Sequence, residues 1–168
     1  MPDRQDRGRP RENRRMETVT IRAEVDADAA AITRIVELSY APYIARMSRR
    51  PAPMDQDYAH LIANAQVWVA QRRETIVGVA VAHLRLDHVL LENVAVHPRV
   101  QHAGVGRLLM RTVEGYAAGH ERREVRLYTN EAMTENLEFY PRLGYRESHR
   151  AVEHGFRRVF FVKTLSAT

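Results

Sequence analysis

The chain contains no cysteine. That excludes disulfides, thiolate metal sites and a cysteine nucleophile, and it fits a reducing cytoplasm, where the protein is expected to act. No apolar run approaches the roughly 18 residues needed to cross a bilayer, and no signal peptide is expected at the start of the chain. The eight histidines show no metal-ligand spacing, so no metal site is expected. Internal repeats are also missing. A length of 168 residues fits a single domain with a core large enough to need no staples. What remains, 45% hydrophobic and 28% charged residues, is ordinary for a globular protein, so composition alone does not assign a function.

Charge is unevenly placed. Residues 1–15 carry Arg4, Arg7, Arg9, Arg11, Arg14 and Arg15 against Asp3, Asp6 and Glu12, a net of +3 out of the chain's +5. An arginine-rich arm can bind nucleic acid, but no aromatic residues are interleaved to stack on bases. Residues 1–16 are therefore expected to be a disordered, solvated basic tail, and residues 17–168 the folded domain.

Within that domain, Thr18–Val25 alternates polar and apolar residues as a half-buried strand should. Asp26 is placed to cap a helix with Ile32, Ile35, Val36 and Tyr43 on one face, and Pro42 is expected to end or bend it near Tyr40. Arg46–Pro53 reads as a basic, proline-punctuated loop. A second helix is expected over Met54–Ala65, burying Tyr58, Leu61, Ile62 and Ala65. Strands follow at Val67–Gln71, Ile76–Leu86 and Val89–Val96, joined by short links that imply an antiparallel meander, with Gly78 marking a bulge. Val105, Leu108, Leu109, Thr112, Val113 and Tyr116 make the stripe of a third helix. Glu124–Thr129 is another strand, and a short helix runs from Thr134 to Arg142 with Gly144 at its C-terminal end. Tyr145–Leu165 reads as two strands around Glu153-His154-Gly155. This order, β-α-α-β-β-β-α-β-α-β-β, predicts an α+β fold, a mixed and mostly antiparallel sheet flanked by helices in three layers.

Glu92–Met110 carries the chemistry. An apolar strand breaks at His97-Pro98, passes through Gln101-His102-Ala103-Gly104-Val105-Gly106, and runs into the third helix. Glycines there admit an anionic group to bare backbone N–H groups, and the helix dipole favours negative charge at that end. A P-loop fails, because Gly106 is followed by Arg107-Leu108 rather than Lys and Ser or Thr. A dinucleotide fingerprint fails as well, because Leu109 stands where the third glycine belongs and no acidic ribose partner lies about twenty residues on.

A third reading rests on two motifs together. The strand end Val94-Ala95-Val96-His97-Pro98 leads into the Gln-x-x-Gly-x-Gly loop, and 34 residues after Gly106 comes Tyr140-Pro141-Arg142-Leu143-Gly144-Tyr145. Here the sequence resembles the GNAT family of acetyl-CoA-dependent N-acetyltransferases, over roughly residues 18–165. The resemblance implies that the loop backbone at Gln101, His102, Ala103, Gly104, Val105, Gly106 and Arg107 holds the pyrophosphate of coenzyme A. It also implies that Val94, Ala95 and Val96 pair with the pantetheine arm and that Tyr140 reaches the thioester sulfur. A phenol stays protonated at neutral pH and can donate to a departing thiolate as general acid. Where the family often has asparagine and a small residue, seven and four positions before the tyrosine, this chain has Met133 and Asn136; Asn130 and Asn136 are the candidates to contact the cofactor instead.

Attack on a thioester needs a neutral primary amine, and hence a base or a water relay. Glu92 is the candidate, two residues before Val94 and, by alternation, on the same face as Val94 and Val96. The alternative for Glu92 is a structural pairing with a nearby arginine. His83, His88 and His97 either face the cleft or lie at the surface. The resemblance places the acceptor against the segment Tyr40–Tyr58 and the last hairpin, with Tyr40, Tyr43, Asp55 and Asp57 as candidate contacts, and it leaves the oligomeric state open, with a homodimer as the candidate. The resulting expectation is direct transfer of an acetyl group from acetyl-CoA to a small-molecule or peptide amine in a ternary complex. The rivals are a non-catalytic acyl-CoA-binding regulatory module and a nucleic-acid-associated protein acting through the arginine tail.

Overall fold

Alternating and helical apolar spacing sorts the chain into seven strands and four helices among the described residues, which in this computed structural model are residues 18–167. The basic tail expected over residues 1–16 lies outside them. β1 (Val19–Ala23) is followed by α1 (Ala29–Met47) and α2 (Tyr58–Asn64). β2 (Gln66–Arg72), β3 (Thr75–Leu84) and β4 (Val89–Val96) form the antiparallel meander. Then come α3 (Val105–Gly119), β5 (Glu124–Asn130), α4 (Thr134–Arg142), β6 (Arg146–Glu153) and β7 (Phe156–Thr164). One sheet takes all seven strands in the order β1-β2-β3-β4-β5-β7-β6. Only β4 and β5 pair in parallel. No helix among the described residues is long and apolar enough to cross a membrane.

Each face of the sheet has its own core. On one, Ile32, Ile35 and Val36 of α1 and Leu61 and Ile62 of α2 pack on Val67, Val69, Val79 and Val81. On the other, Val105, Leu109, Met110 and Val113 of α3 pack on Ala80, Ala82, Leu91 and Leu127, with Tyr140 of α4 alongside. The fold is therefore the expected α+β architecture of three layers.

Several element ends differ from the sequence reading. Asp28, not Asp26, organises the start of α1: its buried carboxylate accepts from Val25 N–H at 2.8 Å and from both ends of the Arg22 guanidinium. α1 also continues through Pro42 to Met47. The missing proline N–H orphans the Leu38 carbonyl, but Leu38, Ala41 and Pro42 lie on the exposed side, where water can satisfy it. Meanwhile Tyr43, Ile44 and Met47 stay packed on the core and hold the last turns helical. α2 begins four residues later than expected because Asp57 caps it, accepting from His60 N–H at 3.1 Å. β3 stops at Leu84, and Leu86 points into solvent.

Gly78 does mark an irregularity. Ala70 pairs with Gly78 and Gln71 with Ile76, leaving Val77 as the extra residue of a bulge. Its missing side chain is also what lets α3 approach: an added Cβ would lie 3.1 Å from both Leu109 Cδ1 and Val105 Cγ1. The other device that positions the site is polar. Asn93, 5% exposed in β4, accepts from the Tyr40 hydroxyl at 2.6 Å and donates to the Tyr58 hydroxyl at 2.9 Å. Tyr58 in turn donates to the Pro53 carbonyl at 2.8 Å. One side chain thus ties α1, α2 and the segment between them to the strand.

Two stability outcomes follow from these contacts. Gly78→Val should overpack the α3 contact and lower stability by about 1–3 kcal/mol, read as a fall in the urea midpoint at unchanged slope. A midpoint as high as that of the unaltered protein would show that α3 does not depend on this approach. Asn93→Leu should cost about 1–3 kcal/mol by stripping two buried hydroxyls of their shared partner. An unaltered midpoint there would mean the Tyr40–Asn93–Tyr58 chain contributes nothing.

Candidate active site

The site begins where two strands separate. β4 and β5 pair only over Val89–Leu91 and Val125–Leu127, whereas β5 is paired with β7 along its whole length. Beyond Leu91 the edge of β4 that faces β5 is free of ladder bonds. There the Val96 carbonyl accepts from the Gln101 side chain at 3.1 Å, and the Val94 carbonyl lies 3.4 Å from the Tyr40 hydroxyl. An open cavity of about 550 Å3, its mouth included, occupies the gap. Glu92, Asn93 and Val94 line one wall and Tyr128, Thr129 and Asn130 the other.

β4 carries a second bulge. Asn93 pairs with Val81 and Leu91 with Ala82, so Glu92 has no partner of its own. The sequence reading set Glu92 on the face of Val94 and Val96, and the bulge overturns that. Val94 and Val96 pack on the α3 side, whereas Asn93 and Ala95 turn toward α1. Glu92 sides with Asn93: its carboxylate meets His83 Nε2 at 2.5 Å, and His83 follows the α3-facing Ala82 on β3. Its partner is therefore a histidine rather than the arginine envisaged for a structural carboxylate. Both side chains are 22% exposed, enough for water to reach them.

After β4, the strand's end is held by His97, whose Nδ1 accepts from Arg99 N–H at 3.1 Å. Pro98–Val100 makes one tight helical turn and buries Val100. His102 (φ +66°) and Gly104 (φ +88°) then take left-handed backbone, which brings the chain round to the start of α3. Space is open above Gly104, where an added Cβ would meet nothing within 4 Å. The first helical bond of α3 runs from Leu108 N–H to the Gly104 carbonyl at 3.0 Å. The N–H groups of Val105, Gly106 and Arg107 precede it and have no acceptor inside the helix. Within Gln101–Arg107 only the Ala103 N–H is bonded inside the loop, to the Val100 carbonyl at 3.4 Å, so the segment presents backbone donors at a helix N-terminus, suited to a phosphate or pyrophosphate.

Tyr140 stands at the other end of the gap. It is 5% exposed, packed edge-on against Phe139 and Tyr145 and beside Phe161, and it lines the cavity. Among the described residues its hydroxyl has no hydrogen-bond partner, yet no buried side-chain polar atom is left unsatisfied, so the hydroxyl is open to the cavity. Burial, with a smaller contribution from Tyr43, pushes the phenol well above its ordinary pKa. Asn130 and Asn136 both line the same space. Asn130 accepts from Ala132 N–H at 2.9 Å, and Asn136 donates to the Thr129 hydroxyl at 3.0 Å.

The acceptor candidates divide. Tyr40 lines the cavity. Tyr43 sits beside it, 3.5 Å from a Glu135 carboxylate that Arg46 holds down to a pKa of about 2. Asp55 and Asp57 are not brought to the cavity: Asp55 is bonded to Arg50 at 3.0 Å and Asp57 is occupied as the cap of α2. His88 is engaged with Asp87 at the β3–β4 turn. Sequence reasoning missed Asn93 and Arg158, and left His83 between the cleft and the surface. Asn93 was signalled by a lone amide within an apolar run; His83 and Arg158 carried no local signal.

Comparison with known proteins agrees with this geometry. A family model described as an acetyltransferase (GNAT) domain matches residues 63–147, half of the chain. Among solved structures, the PaiA N-acetyltransferase of Thermoplasma acidophilum in complex with coenzyme A aligns with a TM-score of 0.75 at 15% identity, covering 88% of this chain and 99% of that one. A GNAT family acetyltransferase of Elizabethkingia anophelis with acetyl-CoA bound gives 0.67 at 16% identity, covering 88% and 98%. The ribosomal-protein-S18-alanine N-acetyltransferase of Escherichia coli gives 0.69 at 16%, covering 90% and 96%. At such identities the structural likeness shows the fold alone. No curated protein matches the sequence. With half of its residues matched by that family model and the fold in agreement, the chain belongs to the GNAT acetyltransferase family.

Proposed function

We propose that the protein transfers the acetyl group of acetyl-CoA to a primary amine by direct attack in a ternary complex. One observation carries this reading: β4 and β5 separate after Leu91 beside a cavity lined by an unpartnered tyrosine hydroxyl and a carboxylate, and the unpaired edge of β4 leads on from it to the glycine loop. Two of the structures described above were solved with coenzyme A or acetyl-CoA bound, which supports the same cofactor here. The backbone at Gln101–Arg107 would hold its pyrophosphate, the free edge at Val94–Val96 its pantetheine amides, and Asn130 and Asn136 the groups nearest the reacting end. When bound, acetyl-CoA supplies an activated acetyl group and a thiol leaving group.

The chain's own residues then handle the protons. Glu92, directly or through one water, removes a proton from the amine nitrogen, and His83 at its side can pass that proton to solvent. Tyr140 gives its phenolic proton at the sulfur, so both the nucleophile and the leaving group change charge state inside the site. Burial keeps that phenol protonated throughout the neutral range, as a general acid requires. Asn93 acts at one remove: it fixes Tyr40 and the α1–α2 wall against which the acceptor would lie.

Release of free CoA in the presence of a panel of amines tests the proposal. Tyr140→Phe should lower kcat by roughly 100-fold while leaving acetyl-CoA binding in place. Undiminished transfer would remove Tyr140 as the acid. Because the folded-state pKa of Tyr140 is raised, its proton is present below the ordinary tyrosine value, and any loss of kcat from its ionisation should begin only above about pH 10. Glu92→Gln should likewise cost about 100-fold in kcat/KM. Transfer that survives this change at every pH from 6 to 9 would take Glu92 out of the reaction.

A further inference from the structure

The cavity has a second charged wall, on the hairpin side. Leu127, Val159 and Phe161 point into the α3 core, so by alternation Tyr128 and Asn130 of β5 and Arg158 of β7 stand on the opposite face. Arg158 lines the cavity, and its side chain is only 12% exposed. The guanidinium lies 4.2 Å over the Tyr128 ring, and Nη1 donates to a Glu153 carboxylate oxygen at 2.6 Å. Among the described residues Nε and Nη2 meet no acceptor, yet neither is sealed from solvent. A planar fork with two free donors in a largely dry setting matches the two oxygens of a carboxylate.

Charge completes the argument. Among the described residues that line the cavity, Arg158 is the one cation and Glu92 the one anion. Only β5 separates their strands. Tyr128, over which Arg158 reaches, follows Leu127, the strand partner of Leu91 immediately before Glu92. A polyamine or aminoglycoside would bring further positive charge against Arg158. A phosphate dianion would need more cation than one guanidinium already shared with Glu153. The lining near Arg158 also includes Asn130, its strand partner, and the rings of Tyr128 and Phe156, the latter with the Arg49 guanidinium 3.7 Å over one face; the aromatic surface left open suits an apolar side chain.

We propose that Arg158 is the carboxylate-binding residue of the acceptor site, and that the acceptor is a small apolar amino acid or close analogue, its amine at Glu92 and its carboxylate at Arg158. This rests on the acetyl-transfer reading above and narrows it from amines in general to amines that carry a carboxylate.

The test compares L-leucine, L-methionine and L-phenylalanine with their C-terminal amides in the CoA-release assay. The unaltered protein should favour at least one free acid over its amide by roughly tenfold or more in kcat/KM, expressed mainly in KM. Arg158→Gln should collapse that ratio toward one, and Arg158→Lys should restore part of it. Glu153→Gln removes the same ion pair but leaves the guanidinium in place, so it should keep the preference; a merely structural role for Arg158 predicts loss in both. Amides used as well as acids, or a ratio that Arg158→Gln leaves standing, would overturn the proposal. Calorimetric binding of the N-acetyl derivatives of the same three amino acids gives a readout independent of turnover. Binding that requires Arg158, with no CoA release from these acids or from the amine panel, would sink the acetyl-transfer reading and spare the carboxylate site; release with other amines but neither release nor binding with these acids would end this proposal and spare the acetyl-transfer reading.

Discussion

Strand edges left without ladder partners must satisfy their N–H and C=O groups in some other way, and a fold that keeps such edges inside itself has usually set them aside for a ligand. β4 and β5 make this arrangement by separating after three paired residues. What keeps the gap from closing is that each strand is fully engaged on its far side, β4 by β3 and β5 by β7, with a helical layer on either face. The opening is therefore a property of the whole sheet rather than of a mobile loop. Everything proposed for the site sits along it in order: the glycine loop at the end of β4, the bulged Glu92 on the wall, and Tyr140 where α4 crosses from the other layer.

Polar groups inside this gap are arranged in pairs that divide structural from chemical work. Asn93 bonds one tyrosine through each end of its amide and holds α1 and α2 to the strand. Glu92, its neighbour in the chain, is used by one histidine and remains within reach of water. Arg158 likewise keeps donors beyond its bond to Glu153. Groups bonded to the fold at each polar atom stabilise the cavity, and groups with donors or acceptors left open to water are those on which the proposed chemistry and recognition rest.

Much of this was legible before any coordinates. Element order, the meander, the glycine loop at the start of α3 and the helix bearing Tyr140 all follow from local patterns: alternation, helical spacing, and glycines where a backbone must turn or be approached. What the sequence hid were non-local effects. The bulge at Glu92 depends on the register of β3 against β4, and it reversed the face on which Glu92 was expected. Pairing of His83 with Glu92 depends on that same register. Pro42 failed to end α1 because tertiary packing of Tyr43, Ile44 and Met47 outweighed a local preference. Asp55 and Asp57 read as acceptor contacts only while the cap of α2 and the reach of Arg50 were out of view.

Hydrogen–deuterium exchange with and without acetyl-CoA tests the central claim, that the gap between β4 and β5 is the cofactor site. The amides of Val94 and Val96 and those of Gln101–Arg107 should gain protection together on addition of acetyl-CoA, while β6 and the N-terminal half of β3 change little. Protection elsewhere with these segments unaltered, or no change at saturating acetyl-CoA, would contradict the account.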